Sequence, residues 1–309
     1  MKKLQISGAS GMKSDSGAYL GLIFVILVWG STPAINPFIY NFISPTITSV
    51  ISGLAAALSL LPMVWGRLRE IKSGYLWIAI PTGIINSVAS VLQKVGLLYT
   101  TPAKYAFLEN LSCVVVPIVM IILTRKKPSI YKLIAAVICL VGCFVLAGGE
   151  ADIGFGIGEA LCSLAGILYG INIALTGFFA KKLYAPLYVF IHMCVHAVAS
   201  SISAVVFGSV EFNGVPISPI KFEWNIPIIL LIAAIAIVSN TLCWTVRTNA
   251  MKRVDPTVVA IMMPFSSVVT AIISMIAGLD TLSHTLVIGA VLVLSATVLS
   301  GLADAKGKK

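Results

Sequence analysis

The chain has 309 residues, 59% of them hydrophobic and only 10% charged, with a mean hydropathy of +1.03. A soluble domain carries roughly 25% charged residues, so this chain lacks the charge to coat a water-facing surface, and a multi-span helical membrane protein is the class left standing. The net charge of +10 invites a nucleic-acid partner, but the placement of the cations argues for orientation in a bilayer instead.

Residues 1–17 form a polar, Gly/Ser-rich tail with no small-residue cleavage signal after the first apolar run, which therefore reads as a retained helix. Ten apolar segments come after it, each near the ~20 residues that span a bilayer. They run Ala18–Tyr40, Pro45–Trp65, Tyr75–Leu98, Pro102–Thr124, Tyr131–Gly148, Ile153–Ala180, Pro186–Gly208, Ile226–Ala250, Pro256–Leu279 and Thr285–Leu302. Several open on proline, whose missing N–H is harmless in a first helical turn. Residues 303–309 read as a basic tail.

One set of alternate loops holds 18 of the 21 basic residues, Arg247 and Lys132 among them; the other side holds Lys104 and Lys221, with Lys94 inside a span. Cytoplasmic loops carry the excess of Lys and Arg, so both termini are expected in the cytoplasm. The six cysteines all fall in apolar segments without metal-ligand spacing and read as small buried hydrophobes.

Sliding the chain by 154 residues superposes segments 3–5 on 8–10: Asn86 meets Asn240, Pro102 meets Pro256, and the run from Ile134 meets the run from Ile288. Segments 1 and 2 align with 6 and 7 at an offset near 140, which brings Trp29-Gly30 onto Tyr169-Gly170. Five spans is an odd number, so the second copy must enter the membrane in the opposite sense. The expected architecture is all-α, two inverted five-helix repeats over 18–149 and 150–302. Inverted repeats suit transport, because two equivalent half-conformations let one site open to either face.

Particular stretches carry a family likeness: VWGSTPAIN (Val28–Asn36), VGLLYTTPAKYAFLENLSCVVVPIVM (Val95–Met120), its second copy TNAMKRVDPTVVAIMMPFSSVVTAII (Thr248–Ile273), and IGAVLVLSATVLSG (Ile288–Gly301). With these the chain resembles the drug/metabolite transporter superfamily, EamA type, over roughly Ala18 to Leu302. The resemblance implies a secondary carrier in a bacterial cytoplasmic membrane, often an exporter of amino acids or related metabolites, with a central cavity between the halves. Nucleotide-sugar transporters are relatives in the same superfamily. Family members usually carry an acid at the ends of helices 4 and 9; here Asp280 is kept, but Arg125-Lys126-Lys127 stands at the other position.

Ionisable groups inside spans are costly, and are functional candidates for that reason. Lys94, Lys104, Glu109 and Glu159 share the outer third and are candidates for coupling or gating, with Glu109 pairing to Lys94, or Glu159 to Lys104, as the expected contacts. An ion-pair latch or snorkelling explains Lys104 and Glu159 as well. The carboxylate of Glu109 is short, which favours a substrate amine or a coupling proton there. His192 and His196 share one face of segment 7, where polar-cavity or structural roles outweigh a metal.

Asn86, Asn172 and Asn240 are mid-span amides that must face protein or cavity, since an unpaired amide in lipid is costly. Trp29, Tyr105, Tyr169 and Trp244 are candidate aromatic walls, with Trp29 and Tyr169 expected together centrally. The substrate-binding set is thus Trp29, Asn86, Tyr105, Glu109, Tyr169, Asn172, His196, Asn240 and Trp244. The glycines from Gly148 to Gly158 succeed no strand and read as close helix packing, not a dinucleotide fingerprint. No nucleophile–base array appears, so an enzyme is not expected. Neither cofactor nor metal nor nucleic acid is expected; the partners are a small-molecule substrate and the lipid bilayer, and a homodimer is allowed for.

Overall fold

The computed structural model describes residues 15–32, 35–71, 73–97, 99–100, 102–126, 128–147, 156–209, 211–212, 215–216, 220–276 and 283–307. Among the described residues ten long helical elements succeed one another: α1 Asp15–Ser31, α2 Pro45–Val64, α3 Ser73–Gly96, α4 (Pro102–Glu109, then Ser112–Thr124), α5 Ile130–Leu146, α6 Ile157–Phe179, α7 Ala185–Ser209, α8 Ile226–Ala250, α9 (Pro256–Met262, then Phe265–Ile276) and α10 His284–Gly307. Eight of them are long and apolar enough to cross a membrane; α1 and α5, at 17 residues each, are apolar but shorter. Leu58, Ile122, Val137, Val198, Leu230 and Val298 stand 54–70% exposed. Such an apolar exterior suits lipid as the solvent, where helices satisfy every backbone group internally.

Local chemistry sets the ends. Asp255 caps α9 by accepting from the Thr257 amide at 2.7 Å, and Asn225 caps α8 by accepting from Ile228 at 3.2 Å. Arg125 takes a left-handed φ of 55° and closes α4 with its amide on the Ile121 carbonyl, 2.8 Å away. The first expected span is corrected: α1 ends at Ser31, and a separate short helix covers Asn36–Tyr40. Pro33 and Pro37 each remove an amide donor from what would be one continuous helix. The last span is corrected too, because α10 runs to Gly307 with Ala303 and Asp304 buried, inside the stretch that reads as a tail.

Two helices are interrupted where the hydropathy pattern alone makes them continuous. In α4 the break falls at Asn110-Leu111, bridged by tight amide bonds from Asn110 to the Phe107 carbonyl (3.1 Å) and from Leu111 to Leu108 (3.2 Å). In α9 it falls at Met263-Pro264, where Ser267 donates to the Pro264 carbonyl at 3.0 Å. Asn110 and Pro264 stand 154 residues apart. The breaks also meet in space, for the Asn110 amide donates to the Ser267 hydroxyl at 3.4 Å. In α8, Ile237–Cys243 forms a π-turn, the wide winding that often marks a functional stretch of helix.

Packing repeats along the same register. Helix α1 lies on α8 and α9, and α6 lies on α3 and α4, so each half lends its first helix to the other; α2 packs on α7, and α5 on α10. A Cβ on Gly30 would lie 2.6 Å from Val269 Cβ and 2.7 Å from the Ser266 carbonyl. On Gly170 it would lie 2.6 Å from Val115 Cβ and 3.3 Å from Ser112 Cα. Val115 and Val269, like Ser112 and Ser266, are 154 apart. These are the same two contacts made twice.

Polar ties differ at the two ends of the bundle. At the end bearing the basic loops, Lys132 Nζ lies 3.2 Å from Asp304 Oδ1 and 3.0 Å from Asp255 Oδ2, while the Tyr19 hydroxyl donates to Asp304 Oδ2 at 3.2 Å. This clasp joins α1, α5, α9 and α10, and Lys132 and Asp304 within it are buried. Lys132, counted with the loop cations although the expected fifth span opens at Tyr131, sits in the first turn of α5. At the opposite end the turn before α2 pairs with the stretch before α8, the Ser44 amide donating to the Lys221 carbonyl (2.8 Å) and Glu223 to Phe42 (3.0 Å). Trp65, Trp77 and Trp224 are 67–79% exposed, as interfacial anchors should be.

Candidate functional site

Helix α3 carries the polar stripe on which the interior is built. Thr82, Asn86, Ser90 and Lys94 recur every fourth residue, with Ser87 and Gln93 beside them, so they line adjoining faces of one helix. On one flank, the Tyr188 hydroxyl of α7 meets Thr176 (2.8 Å), Thr82 (2.9 Å) and His192 Nε2 (3.1 Å). His196 Nδ1 lies 3.3 Å from the Ser87 hydroxyl. The Asn172 amide of α6 donates to the Thr82 carbonyl at 2.7 Å. His192 and Asn172 thus tie α3, α6 and α7 together. Among the described residues no three His, Cys, Asp or Glu side chains gather for a metal.

The remaining candidates form two clusters related by the repeat. In the first, the Tyr169 hydroxyl of α6 donates to Gln93 Oε1 at 2.7 Å, with Ser90 also within its reach. The Gln93 side chain lies within hydrogen-bonding reach of the Glu109 carboxylate, and Tyr105 lies within electrostatic reach of Glu109 and Tyr169. In the second cluster, Trp29 of α1 stands 6.0 Å from Trp244 of α8, ring centre to ring centre. The Arg247 guanidinium lies 4.0 Å from the Trp244 ring centre and 5.2 Å from that of Trp29. Trp29 Nε1 donates to the Ser239 carbonyl in the π-turn at 3.1 Å. Gln93 and Arg247 are 154 apart, as are Ser90 and Trp244, while Trp29 and Tyr169 already align. One arrangement is therefore built twice, ending in a carboxylate in one copy and a guanidinium in the other.

Several sequence expectations need adjusting against this geometry. Trp29 and Tyr169 do not pair with each other; each faces the opposite half's helix, α8 or α3. Lys94 donates to the Ser49 hydroxyl on α2, and among the described residues no ion pair joins it to Glu109. Glu159 caps α6, accepting from the Gly156 amide at 2.9 Å and from the Thr100 hydroxyl at 2.7 Å. The expected Glu159–Lys104 contact falls on the Lys104 side chain, which, like Asp280, lies outside the described residues. Asn240 sits half-buried within the π-turn, and Asn86 is buried with its Oδ1 unpartnered among the described residues.

Gln93, Ser90 and Arg247 join the site without standing out among the sequence candidates. The 154-residue register holds the signal, because it lays Gln93 on Arg247 and so points to both. Arg247, counted with the loop cations although the expected span Ile226–Ala250 contains it, is buried, 4% exposed. A separate cavity of about 330 Å³ opens at the basic end, where Lys181, Lys252 and Arg253 face Asp255 and Asp304.

Comparison with known proteins gives likenesses of family, of sequence and of fold. A sequence model of the EamA-like transporter family matches residues 16–148 and 156–302. A curated relative, an "uncharacterized transporter" of Archaeoglobus fulgidus, is 28% identical over 177 residues, which is 57% of this chain and 54% of that protein. The matched region thus spans about half the length of that relative. A solved crystal structure superposes with a TM-score of 0.74 at 16% identity, covering 96% of this chain and all of the other, a likeness of fold alone.

Proposed function

The chain belongs to the EamA-like transporter family and is a multi-pass membrane transporter, and on that premise we propose that it is a secondary carrier working by alternating access. Its ten helices form two inverted halves with both termini in the cytoplasm, and it moves small organic metabolites such as amino acids or related amines outward. The observation that carries this reading is the doubled cluster: Tyr169–Gln93 and Trp29–Arg247 occupy repeat-related positions beside two helices broken at equivalent points. Broken helices beside a midplane site are a recurrent feature of carriers. The contacts Gly30–Val269 and Gly170–Val115 support the two-half organisation, since one half laid on the other reproduces them.

Purified protein in liposomes, offered radiolabelled amino acids, amines and nucleosides, is expected to take up at least one class above the level of empty vesicles. Uptake equal to empty vesicles across all three classes counts against the carrier. Topology is checked separately. Single cysteines placed at residues 3 and 308, in a background with the native cysteines replaced, are expected to label from the same side of the membrane.

Glu109 is the group for the positive end of the substrate. Its carboxylate acts ionised, so uptake of amine-bearing substrates falls as acid protonates it. The sign is direct: lower pH, less carboxylate, less binding. Glu109→Gln is expected to lower that uptake by roughly tenfold, the loss of one charge-assisted hydrogen bond, and to flatten the acid limb of its pH profile. A variant with unchanged rate and unchanged acid limb removes Glu109 from the site.

A further inference from the structure

Arg247 is 4% exposed on α8, and neither Nε nor Nη2 has a hydrogen-bond acceptor among the described residues. None of the ion pairs among those residues includes it. Its guanidinium carbon lies over two indole rings, Trp244 at 4.0 Å and Trp29 at 5.2 Å, tilted 57° to each other. Indole rings attract the faces of a guanidinium, but the N–H groups point outward in its plane, where an indole offers no acceptor. A buried charge left without a partner is destabilising by several kcal/mol. Buried N–H donors without an acceptor, beside two indole rings, leave a planar fork of the kind that holds a carboxylate through two parallel bonds.

The repeat sharpens the contrast. At the equivalent position Gln93 is already occupied, accepting from Tyr169 and reaching Glu109. One copy is closed on itself; the other has open donors.

We infer that Arg247, between Trp29 and Trp244, is an anion subsite that binds the carboxylate of the transported molecule, so that this carrier takes carboxylate-bearing organic substrates; the word "transported" rests on the carrier reading, the binding does not. Tyr169 is within electrostatic reach of both Glu109 and Arg247. A molecule with an amine at one end and a carboxylate at the other matches both.

Binding is tested on the purified full chain in detergent, by the rise in unfolding temperature and by tryptophan fluorescence. The probes are benzoate and L-phenylalanine, their neutral counterparts benzamide and L-phenylalaninamide, and sodium chloride at matched ionic strength. At least one carboxylate is expected to bind the wild type, with its amide and chloride weaker by roughly 10- to 100-fold, the loss of a charge-assisted pair. Arg247→Gln, which installs the residue the other copy carries, is expected to abolish that discrimination, and Arg247→Lys to keep part of it.

If Arg247→Gln does not fold, the wild-type discrimination and the lysine variant decide. The inference is overturned by no carboxylate binding, by amide or chloride binding as well as carboxylate, or by Arg247→Gln keeping the preference. Carboxylate-selective binding without flux in vesicles sinks the carrier and leaves the subsite. Flux of acids and amides alike does the reverse.

Discussion

Replacing Lys132 with alanine is expected to destabilise the folded bundle by about 3 kcal/mol, the lower end of the loss that removing one partner of a buried ion cluster brings. The ammonium sits 3.2 Å from Asp304 and 3.0 Å from Asp255, and without it the two carboxylates lose the cation that bridges them. Asp304 has a side chain only 6% exposed; Asp255, at 35%, is partly screened, which holds the effect near the lower end. Unfolding by SDS titration from mixed micelles measures it. The double variant Lys132→Met with Asp304→Leu is expected to recover most of the loss, because apolar side chains of similar size replace a buried pair at little penalty. A Lys132→Ala protein within ~0.5 kcal/mol of wild type, the usual range for surface changes, would mean that the clasp contributes nothing to stability.

The second large effect lies at Gly166 in α6. A Cβ there would collide with the Leu108 carbonyl oxygen and stand 3.1 Å from the Glu109 carbonyl oxygen. Both are backbone atoms at the edge of the α4 break, so no rotamer change relieves the contact. Overpacking of this kind costs about 1–3 kcal/mol for one methyl group, and Gly166→Val should exceed it. The displaced segment also carries Glu109, so transport is expected to fall more than the amount of folded protein does. Gly301→Ala is the matched control: nothing lies within 4 Å of its Cβ position in α10. Alanine there should stabilise by ~0.5–1 kcal/mol, the usual gain over glycine inside a helix. Equal stability for Gly166→Ala and wild type would refute the close approach of α6 to α4.

Each feature is legible in the sequence to the extent that its cause is local or repeated. Helix positions are legible because lipid demands long apolar runs, and those runs are local. The register between halves is legible because matching residues recur at one fixed distance along the chain. The break at Pro264 has a visible cause in its missing amide, but its partner at Asn110 has no proline, and only the shared register links them. Arg247 reads as a loop cation because it lies close to the end of an apolar run, where basic residues usually belong to the loop; its burial depends on Trp29, more than 200 residues away. The Lys132–Asp304 contact joins positions 172 apart, beyond any local pattern. The Trp29–Tyr169 pairing fails for a simpler reason: symmetry lays equivalent residues on one another in alignment, but in space it sets them on opposite sides of its axis.

Tyr19, which ties α1 into the clasp, aligns at the 140-residue offset with Glu159, and Glu159 is occupied instead in capping its own helix. A box hinged from two like shells would have no preferred door. Here the side chains of Tyr19, Lys132, Asp255 and Asp304 fasten one of the two ends. The two ends thus differ in the forces that hold them, although the helices they join repeat.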